Sequence, residues 1–305
     1  MVASLLAATP TGVVAQQGAG SDDRAIEVAR EALAAIESGW ALAHYDRAKR
    51  VRAAINARGG SPTSIGITSN FVMDRAARRW RLDAGGDVGP VTLYVDREQM
   101  ALHAPDLGQF ARQSGGLATA GGLGDGLSRQ LTETRRRLDQ GYGLLRYMVE
   151  DTVGGALAQR IEDTPAPGTT ATYWIDVATH LPQRAELARP GRKDVRIEFH
   201  YGSSPRPMRV EIYLEGEHDV QVTATLRYDG VGRVSQVHAV SRVGGGDEFT
   251  SDVNVDWSPN VAAEFFNFAP PAGTREVPFQ QLVSGLVFAA AGKLAAILPL
   301  VPESR

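Results

Sequence analysis

The sequence predicts an α+β fold, in which a meander of antiparallel strands carries one apolar face and helices cover that face. Apolar and polar residues alternate strictly in four segments, at 195–201, 210–214, 220–228 and 253–257. A period of two is typical of strands with one apolar face and one wet face. Turn-forming residues separate these segments at 202–205, 215–216, 229–230 and 244–247. Connections this short join antiparallel strands, because a parallel crossover needs about a dozen residues or more.

An earlier group of strands is predicted before this meander. Its segments are 65–73, 79–83, 91–95 and 99–104. Trp80 and Leu82 supply the apolar face of one segment, and Met100 and Leu102 that of another. The glycine-rich stretch at 115–126 has neither a following Gly-Lys-Ser/Thr nor GxGxxG spacing, so a surface loop is favoured over a phosphate-binding loop.

Two amphipathic helices are predicted to cover the sheet. The first begins at the capping carboxylates of Asp22 and Asp23. Its apolar residues recur every three or four positions, at Ile26, Ala29, Leu33, Ile36 and Trp40, and Leu42, Tyr45, Val51 and Ile55 continue the spacing past Gly39. The second begins at Ser128, ends at Gly154-Gly155, and carries Leu131, Leu138, Tyr142, Leu145 and Val149 on one side.

The two ends of the chain are apolar. Residues 1–20 carry no charge and end in small residues, like the back half of a secretory signal peptide without its basic first part. Either the true start lies upstream or this is a disordered leader, and export is expected. Residues 279–298 contain the single charge Lys293 and are diluted by alanine and glycine. A helix packed on the protein or on a membrane surface is favoured over a membrane span. The predicted organisation is a leader (1–20), one domain (21–278) and an apolar helical tail (279–305).

Composition excludes several classes of function. The 305 residues carry a net charge of −3, so nothing favours nucleic acid as a partner. Cysteine is absent, which excludes disulfides, thiolate metal sites and lipid attachment to an N-terminal cysteine. The six histidines show no HExxH spacing, and no GxSxG motif occurs. Glu198 and His200 share the polar face of one strand and are interpreted as a solvated pair. No metal, no cofactor and no enzymatic activity are predicted.

Three motifs, in the same order, resemble those of the LolA-type lipoprotein carriers. The run at 93–105 is similar to that family's strand, turn, strand and proline hairpin. Tyr173-Trp174-Ile175-Asp176 with Leu181-Pro182 resembles its Trp-Ile-Asp…Leu-Pro hairpin, and 263–273 its closing Phe-x-Phe-x-Pro-Pro-x-Gly signature. The resemblance covers roughly residues 22–278. It implies a LolA-like fold, an unclosed antiparallel half-barrel with a helical lid, whose apolar concave face takes up acyl chains. The family's lid-latching Arg-Pro pair is missing here, and Arg75 is the nearest candidate.

The site prediction follows from the strand alternation, because only the apolar set can line a cavity for acyl chains. The predicted ligand-binding residues are Trp80, Leu82, Met100, Leu102, Val210, Ile212, Leu214, Val222, Leu226, Val253 and Val255. The predicted lid residues are Ile26, Leu33, Ile36, Trp40, Leu138, Tyr142, Leu145 and Arg75. Ordinary packing in a core is the competing interpretation of the tryptophans among them.

The predicted function is that of an exported, non-catalytic carrier, in the periplasm or cell envelope, that binds lipid or lipoprotein acyl chains as a monomer. Contact with a membrane surface through the tail belongs to this prediction. An alternative is an envelope-stress or regulatory sensor on the same fold, which would bind a membrane protein partner. An enzyme is a third class, for which the sequence offers no constellation of catalytic residues.

Overall fold

The computed structural model describes residues 22–59, 65–87, 89–115, 132, 134–136, 138–140, 145–166, 168–188, 195–214, 221–243 and 247–297. Within these ranges the helices are α1 (Asp23–Gly39), α2 (Leu42–Asp46) and α3 (Phe279–Ile297). The first strands are β1 (Arg50–Gly59), β2 (Ile65–Asp74), β3 (Arg79–Gly86), β4 (Val91–Val95), β5 (Gln99–Ala104) and β6 (Gln109–Ser114). The next are β7 (Arg146–Val153), β8 (Ala156–Ala166), β9 (Thr169–Asp176), β10 (Pro182–Ala188), β11 (Val195–Tyr201) and β12 (Pro207–Leu214). The last are β13 (Val222–Tyr228), β14 (Val234–Val243), β15 (Asp247–Asp256) and β16 (Arg275–Glu276).

The chain divides into two compact units. The first unit contains residues 1–47, 125–234 and 239–242, and the second contains residues 48–124, 235–238 and 243–305. The segment 21–278, treated above as one domain, is distributed over both units, and α3 belongs to the second. The domain boundaries set from the sequence stay a prediction.

The first unit contains a run of antiparallel strands in the order β13-β12-β11-β10-β9-β8-β7. Helix α1 lies on this sheet. The Asp22 side chain caps it by accepting a 2.9 Å hydrogen bond from the Arg24 backbone N–H. The apolar stripe of α1 packs against Ile161 of β8 and Ile175 of β9. The first predicted helix is therefore confirmed.

The second predicted helix is largely wrong. Helical residues occur at 132, 134–136, 138 and 139, but residues 146–153 form strand β7, so that Val149 lies on a strand and Leu145 directly precedes it. Leu131 and Tyr142 lie outside the described residues. The physical reason is the Gly154-Gly155 pair. With φ angles of 60° and 86°, these two glycines form the tight turn of the β7–β8 hairpin instead of ending a helix.

The second unit contains the strand order β16-β6-β5-β4-β3-β2-β1-β15. Its pairs are antiparallel except for the short β16, which runs parallel to β6. Strand β1 corrects the expectation that helical spacing continues through Val51 and Ile55. Pairing with β2 on one side and β15 on the other overrides that local pattern.

Within each unit the strand order is linear, so the strands of a unit do not close on themselves. The predicted class, α+β with an unclosed antiparallel sheet and few helices, is confirmed. Among the described residues, no helix combines the length and the hydropathy needed to cross a membrane.

Candidate apolar binding faces

Five of the predicted ligand-binding residues share one face of the sheet in the first unit. Ile197 of β11 lies directly opposite Ile212 of β12, and Ile212 lies directly opposite Val222 of β13. Side chains two positions apart on a strand point to the same face. The face therefore includes Val210, Ile212 and Leu214 of β12, and Val222 and Leu226 of β13. Val210 is 5% exposed, whereas the other four are half-buried.

Trp40, at the end of α1, lies on this face. Its ring is 6.1 Å from that of Phe199, with an angle of 45° between the planes. Phe199, Ile197 and Val210 form a buried cluster, against which Trp40, Ile212 and Leu226 pack. Phe199 is not among the predicted ligand-binding residues, although the alternation places it on the apolar side of β11.

Four other predicted lid residues of this unit, Ile26, Leu33, Ile36 and Leu138, lie on the helix that covers the sheet or pack where that helix meets the sheet. Ile26, Leu33 and Ile36 lie on α1, and Leu33 and Ile36 are buried. Leu138 and Ile26 pack against the cluster that contains Leu145, Ile161 and Ile175. The structure thus brings α1 and Leu138 together over the β7–β9 end of the apolar face.

The apolar face of the first unit is electrically neutral at its tyrosines. Burial raises the pKa of Tyr173 and of Tyr201, so both phenols stay protonated at physiological pH. The Tyr201 hydroxyl donates a 2.9 Å hydrogen bond to the Pro182 carbonyl. A mostly hydrocarbon surface favours apolar ligands and recognises few polar groups.

The remaining six predicted residues share one face of the sheet in the second unit. The Cα partners Leu82, Leu93 and Leu102 form one row across β3, β4 and β5. A second row joins Trp80, Val95 and Met100, and Val253 and Val255 pair with Ile55 and Ala53. Trp80 and Leu102 are each 7% exposed, and Leu82, Met100, Val253 and Val255 are half-buried.

Helix α3 covers part of that second face. Leu282, which is completely buried, packs with Leu102, Ala104 and Ala111, and Phe279 and Leu286 join the same cluster. The sheet residues of the cluster come from β4, β5 and β6 and the turn before β6. The first part of the predicted tail is therefore a helix packed on the protein.

The opposite, polar face of the second unit fixes the closing segment, defined as residues 261–268. Arg50 donates to the Val261 carbonyl and lies 3.2 Å from an Asp74 carboxylate oxygen. The guanidinium carbon of Arg79 lies 4.7 Å from the ring centre of Phe266, and that of Arg81 lies 4.3 Å from that of Phe265. The phenylalanines that carry part of the family resemblance thus contact arginines on the polar face.

Arg75 lies in the turn between β2 and β3, where its backbone N–H donates to the Lys49 carbonyl at 2.8 Å. The ion pairs to Asp74 come instead from Arg50 and Arg79. A role of Arg75 in latching a lid stays a prediction. Burial alone would raise the pKa of the Asp74 carboxyl group. The hydrogen bond from the Ala77 N–H and the contacts with Arg50 and Arg79 outweigh that effect and lower the pKa overall.

The polar face of the first unit carries an ion-pair network. The imidazole Nε2 of His200 lies 2.9 Å from Glu211 on the neighbouring strand, so the predicted pairing of His200 with Glu198 is replaced by a cross-strand contact. Tyr213 donates to Glu211 at 3.0 Å, and Arg184 lies 3.0 Å from Glu198. Partial burial raises the pKa of Glu211, yet the hydrogen bonds from His200 and Tyr213 lower it overall.

Glu198, His200 and Glu211 are the candidate metal ligands among the described residues, because their donor atoms lie within 4.8 Å of one another. Both carboxylates already have cationic partners, since Arg184 and Arg196 contact Glu198 and Arg209 contacts Glu211. A cation would have to displace these guanidinium groups. The arrangement is that of a structural network on the polar face.

The geometry defines a class of protein with open antiparallel strands, whose apolar faces are partly covered by helices. Structures similar to this chain include a LolA superfamily protein from Nitrosomonas europaea, at 10% identity and a TM-score of 0.35, covering 78% of this chain and 97% of that one. An outer membrane lipoprotein-sorting protein domain from Vibrio parahaemolyticus matches at 11% identity and a TM-score of 0.32, covering 80% and 97%. The Pseudomonas aeruginosa MucA/MucB complex matches at 14% identity and a TM-score of 0.20, covering 76% and 94%.

One of these similar structures is described as a member of the LolA superfamily. Comparison of the sequence with family profiles finds no matching family, and comparison with curated proteins finds no matching relative.

Proposed function

We propose that this protein is a non-catalytic carrier that binds the acyl chain of a lipid or lipoprotein on its apolar sheet faces. The observation that carries the proposal is the face shared by Val210, Ile212, Leu214, Val222 and Leu226, against which Trp40 packs directly after α1. Four of these five side chains are half-buried, so apolar area remains to be removed from water. Each Å² so removed contributes about 25 cal/mol.

The apolar sheet face in the second unit also supports binding of an acyl chain. Leu82, Met100, Val253 and Val255 are half-buried there, while Leu102 is buried with residues of α3. We therefore include both faces in the proposal, with Trp80 and Leu102 as the residues closest to ordinary core. A hydrocarbon chain needs few polar contacts, which suits faces lined mainly by apolar side chains.

Probe displacement tests this proposal. The full chain is titrated with bis-ANS or a fluorescent fatty acid, and unlabelled fatty acid is then added. Saturable binding that the unlabelled lipid reverses is expected. A folded protein that binds neither probe contradicts the proposal.

A matched pair of variants locates the site. Ile212→Asn places a polar group on the apolar face and is expected to weaken probe binding at least tenfold. Val231→Asn changes an apolar residue of the turn between β13 and β14 that is 47% exposed, and it is expected to leave binding unchanged. Equal probe affinity in both variants contradicts the assignment of the site to this face.

A second candidate function is a sensor that binds a membrane protein. Strand β7 stands at the end of the strand order, and Met148 and Val149 on it are 39% and 59% exposed. Leu157 on the paired strand β8 is 49% exposed. An edge strand with exposed apolar residues can pair with an extended segment of a partner.

Transfer and capture experiments separate the two candidates. A carrier is expected to deliver a labelled lipid from solution to acceptor vesicles. A sensor is expected to retain a specific membrane protein from its own host, in amounts that change when lipid is added. Delivery without capture supports the carrier, and capture without delivery supports the sensor.

Export is part of the proposal and rests on the uncharged leader at 1–20. Expression of the full chain and of a variant lacking residues 1–20, followed by cell fractionation, tests it. The full chain is expected in the envelope fraction and the shortened chain in the cytoplasm. Equal distribution of the two contradicts export through this segment.

A further inference from the structure

Helix α3 presents apolar residues on two sides. Its inner side places Phe279, Leu282 and Leu286 against the sheet of the second unit, and Leu282 is completely buried. Val283 and Val287 lie one turn apart on another side and are 39% and 62% exposed. Residues four positions apart in a helix form a continuous stripe. The helix therefore carries an apolar stripe that its own sheet does not cover.

The charge pattern of this stretch is unusual for a helix at a water-facing surface. From Val277 to Pro302 the sequence contains no Asp or Glu, and Lys293 is its single charged residue. A helix packed on a domain ordinarily carries charged residues on its outer side. Ala290 and Leu294 continue the sequence spacing of Val283 and Val287. The exposed residues of α3 among those whose side chains are described, Gln280, Gln281, Val283, Ser284 and Val287, carry no charge, which fits an apolar boundary better than water.

Two occupants could cover such a stripe: a second copy of the chain or a lipid bilayer. A stable dimer buries at least about 1,200 Å² in total, which a stripe on a single helix with two exposed valines is too small to supply. Insertion into a bilayer surface has no such threshold, because affinity grows with each apolar side chain that enters the acyl boundary. The absence of acidic groups also removes repulsion from anionic lipids.

We propose that α3 binds the protein to the surface of a lipid bilayer through the stripe of Val283 and Val287. The helix lies on the bilayer with this side, while Phe279, Leu282 and Leu286 keep its inner side on the sheet. The contact is distinct from the proposed ligand faces, since neither valine belongs to them. It supplies the membrane contact at which a carrier would load or release its ligand.

Vesicle co-sedimentation tests this proposal. The full chain is mixed with phosphatidylcholine vesicles and with vesicles that also contain phosphatidylglycerol. We expect the wild type to sediment with both, and the double variant V283D/V287D to lose at least tenfold in vesicle affinity. Both positions are exposed, so the variant is expected to keep the thermal unfolding midpoint of the wild type. A control, T225D/V231D, adds two carboxylates at exposed positions outside α3 and is expected to bind like the wild type.

Three results would overturn the proposal. The wild type could stay in the supernatant with both vesicle types, or V283D/V287D could bind as tightly as the wild type. Size-exclusion chromatography could also show a wild-type dimer that V283D/V287D converts to a monomer, which would assign the stripe to a second copy. Displaceable binding of bis-ANS in V283D/V287D would show that ligand binding is intact, so failure of the membrane contact is distinguishable from failure of the carrier function.

Discussion

Individual side chains in the second unit tie the closing segment to the sheet through charge. Asp74 is almost fully buried and contacts Arg50 at 3.2 Å and Arg79 at 3.6 Å. Arg50 also donates to the Val261 carbonyl, and Arg79 lies over Phe266. Loss of the Asp74 charge would leave two partly buried arginines without this partner. The carboxylate therefore organises the contact between β1, β2, β3 and the closing segment.

Asp74 is predicted to make the free energy of unfolding depend on pH in the acidic range. Its pKa is lowered in the folded protein from an ordinary value of 3.8. A lowered carboxyl pKa contributes stability that is complete above the unfolded pKa and is lost as pH falls through the folded one. The free energy of unfolding of the wild type is thus expected to decrease from pH 5 to below pH 3.8.

Asp74→Asn is expected to be less stable than the wild type at pH 7 and to lose less stability on acidification. Urea unfolding at pH 7, 5, 4 and 3 measures both effects. Asp252→Asn is a control, because Asp252 and its partner His238 are both exposed. Parallel pH curves for wild type and Asp74→Asn would contradict the assignment.

Among the elements, the β7–β8 hairpin shows how a turn decides secondary structure. Gly154 and Gly155 both adopt positive φ, which a glycine reaches without the steric cost of a Cβ atom. That turn reverses the chain and pairs Val153 with Ala156. A helix over the same residues would leave the edge of β8 without this partner strand.

Gly154→Ala is predicted to destabilise the protein by about 1–2 kcal/mol, because a Cβ atom is strained at φ 60°. A Cβ there meets no heavy atom within 4 Å, so the cost is purely conformational. Gly230→Ala is a matched control, since a Cβ at that turn glycine also meets nothing within 4 Å and its φ is not positive. Chemical denaturation measures both, and equal losses would contradict the account.

Helix α1 is predicted to open more easily than the strands it covers. Its contacts with other elements include the exposed ion pairs Arg30–Asp139 and Glu37–Arg135, which contribute little in water. Hydrogen exchange on the first unit is expected to show lower protection for backbone amides of α1 than for those of β11 and β12. Equal protection would indicate a fixed plug and would contradict a loading cycle at this helix.

On the scale of the whole molecule, each unit pairs one apolar sheet face with one helix. In the first unit that helix is α1, near the beginning of the chain, and in the second it is α3, near its end. A sheet that is apolar on one side must cover that side, and a single helix covers only some of the strands. The strand faces beyond the helices remain half-buried, which is the basis of the proposed carrier function.

Stability measurements distinguish a ligand face from an ordinary core. If the face is filled by ligand, Ile212→Asn is expected to lose less than the roughly 2–5 kcal/mol of a core truncation. Added fatty acid is expected to raise the melting temperature of the wild type more than that of the variant. Thermal melts with and without lipid measure this. Collapse of the fold in both conditions would assign Ile212 and its neighbours to the core.

Local pattern was sufficient for much of the fold. Alternation identified β2 to β5 and β11 to β13, because the period of a strand is visible within a few residues. It also placed the eleven predicted site residues on shared faces, five in the first unit and six in the second. The capping carboxylate and the three- and four-residue spacing located α1. These features depend on neighbours in sequence, so the sequence alone determined them.

Only the tertiary structure decided the rest. Val51 and Ile55 fit helical spacing, yet pairing with two distant strands makes their segment β1. His200 contacts Glu211, which is 11 residues away in the sequence, instead of Glu198, which is two residues away, because the register of the strands sets the cross-strand partners. Whether the apolar tail covers the protein was likewise open until Leu282 was seen packed on Leu102 and Ala111. Each of these depends on groups far apart in the chain, whose approach is governed by long-range pairing and packing rather than by local pattern.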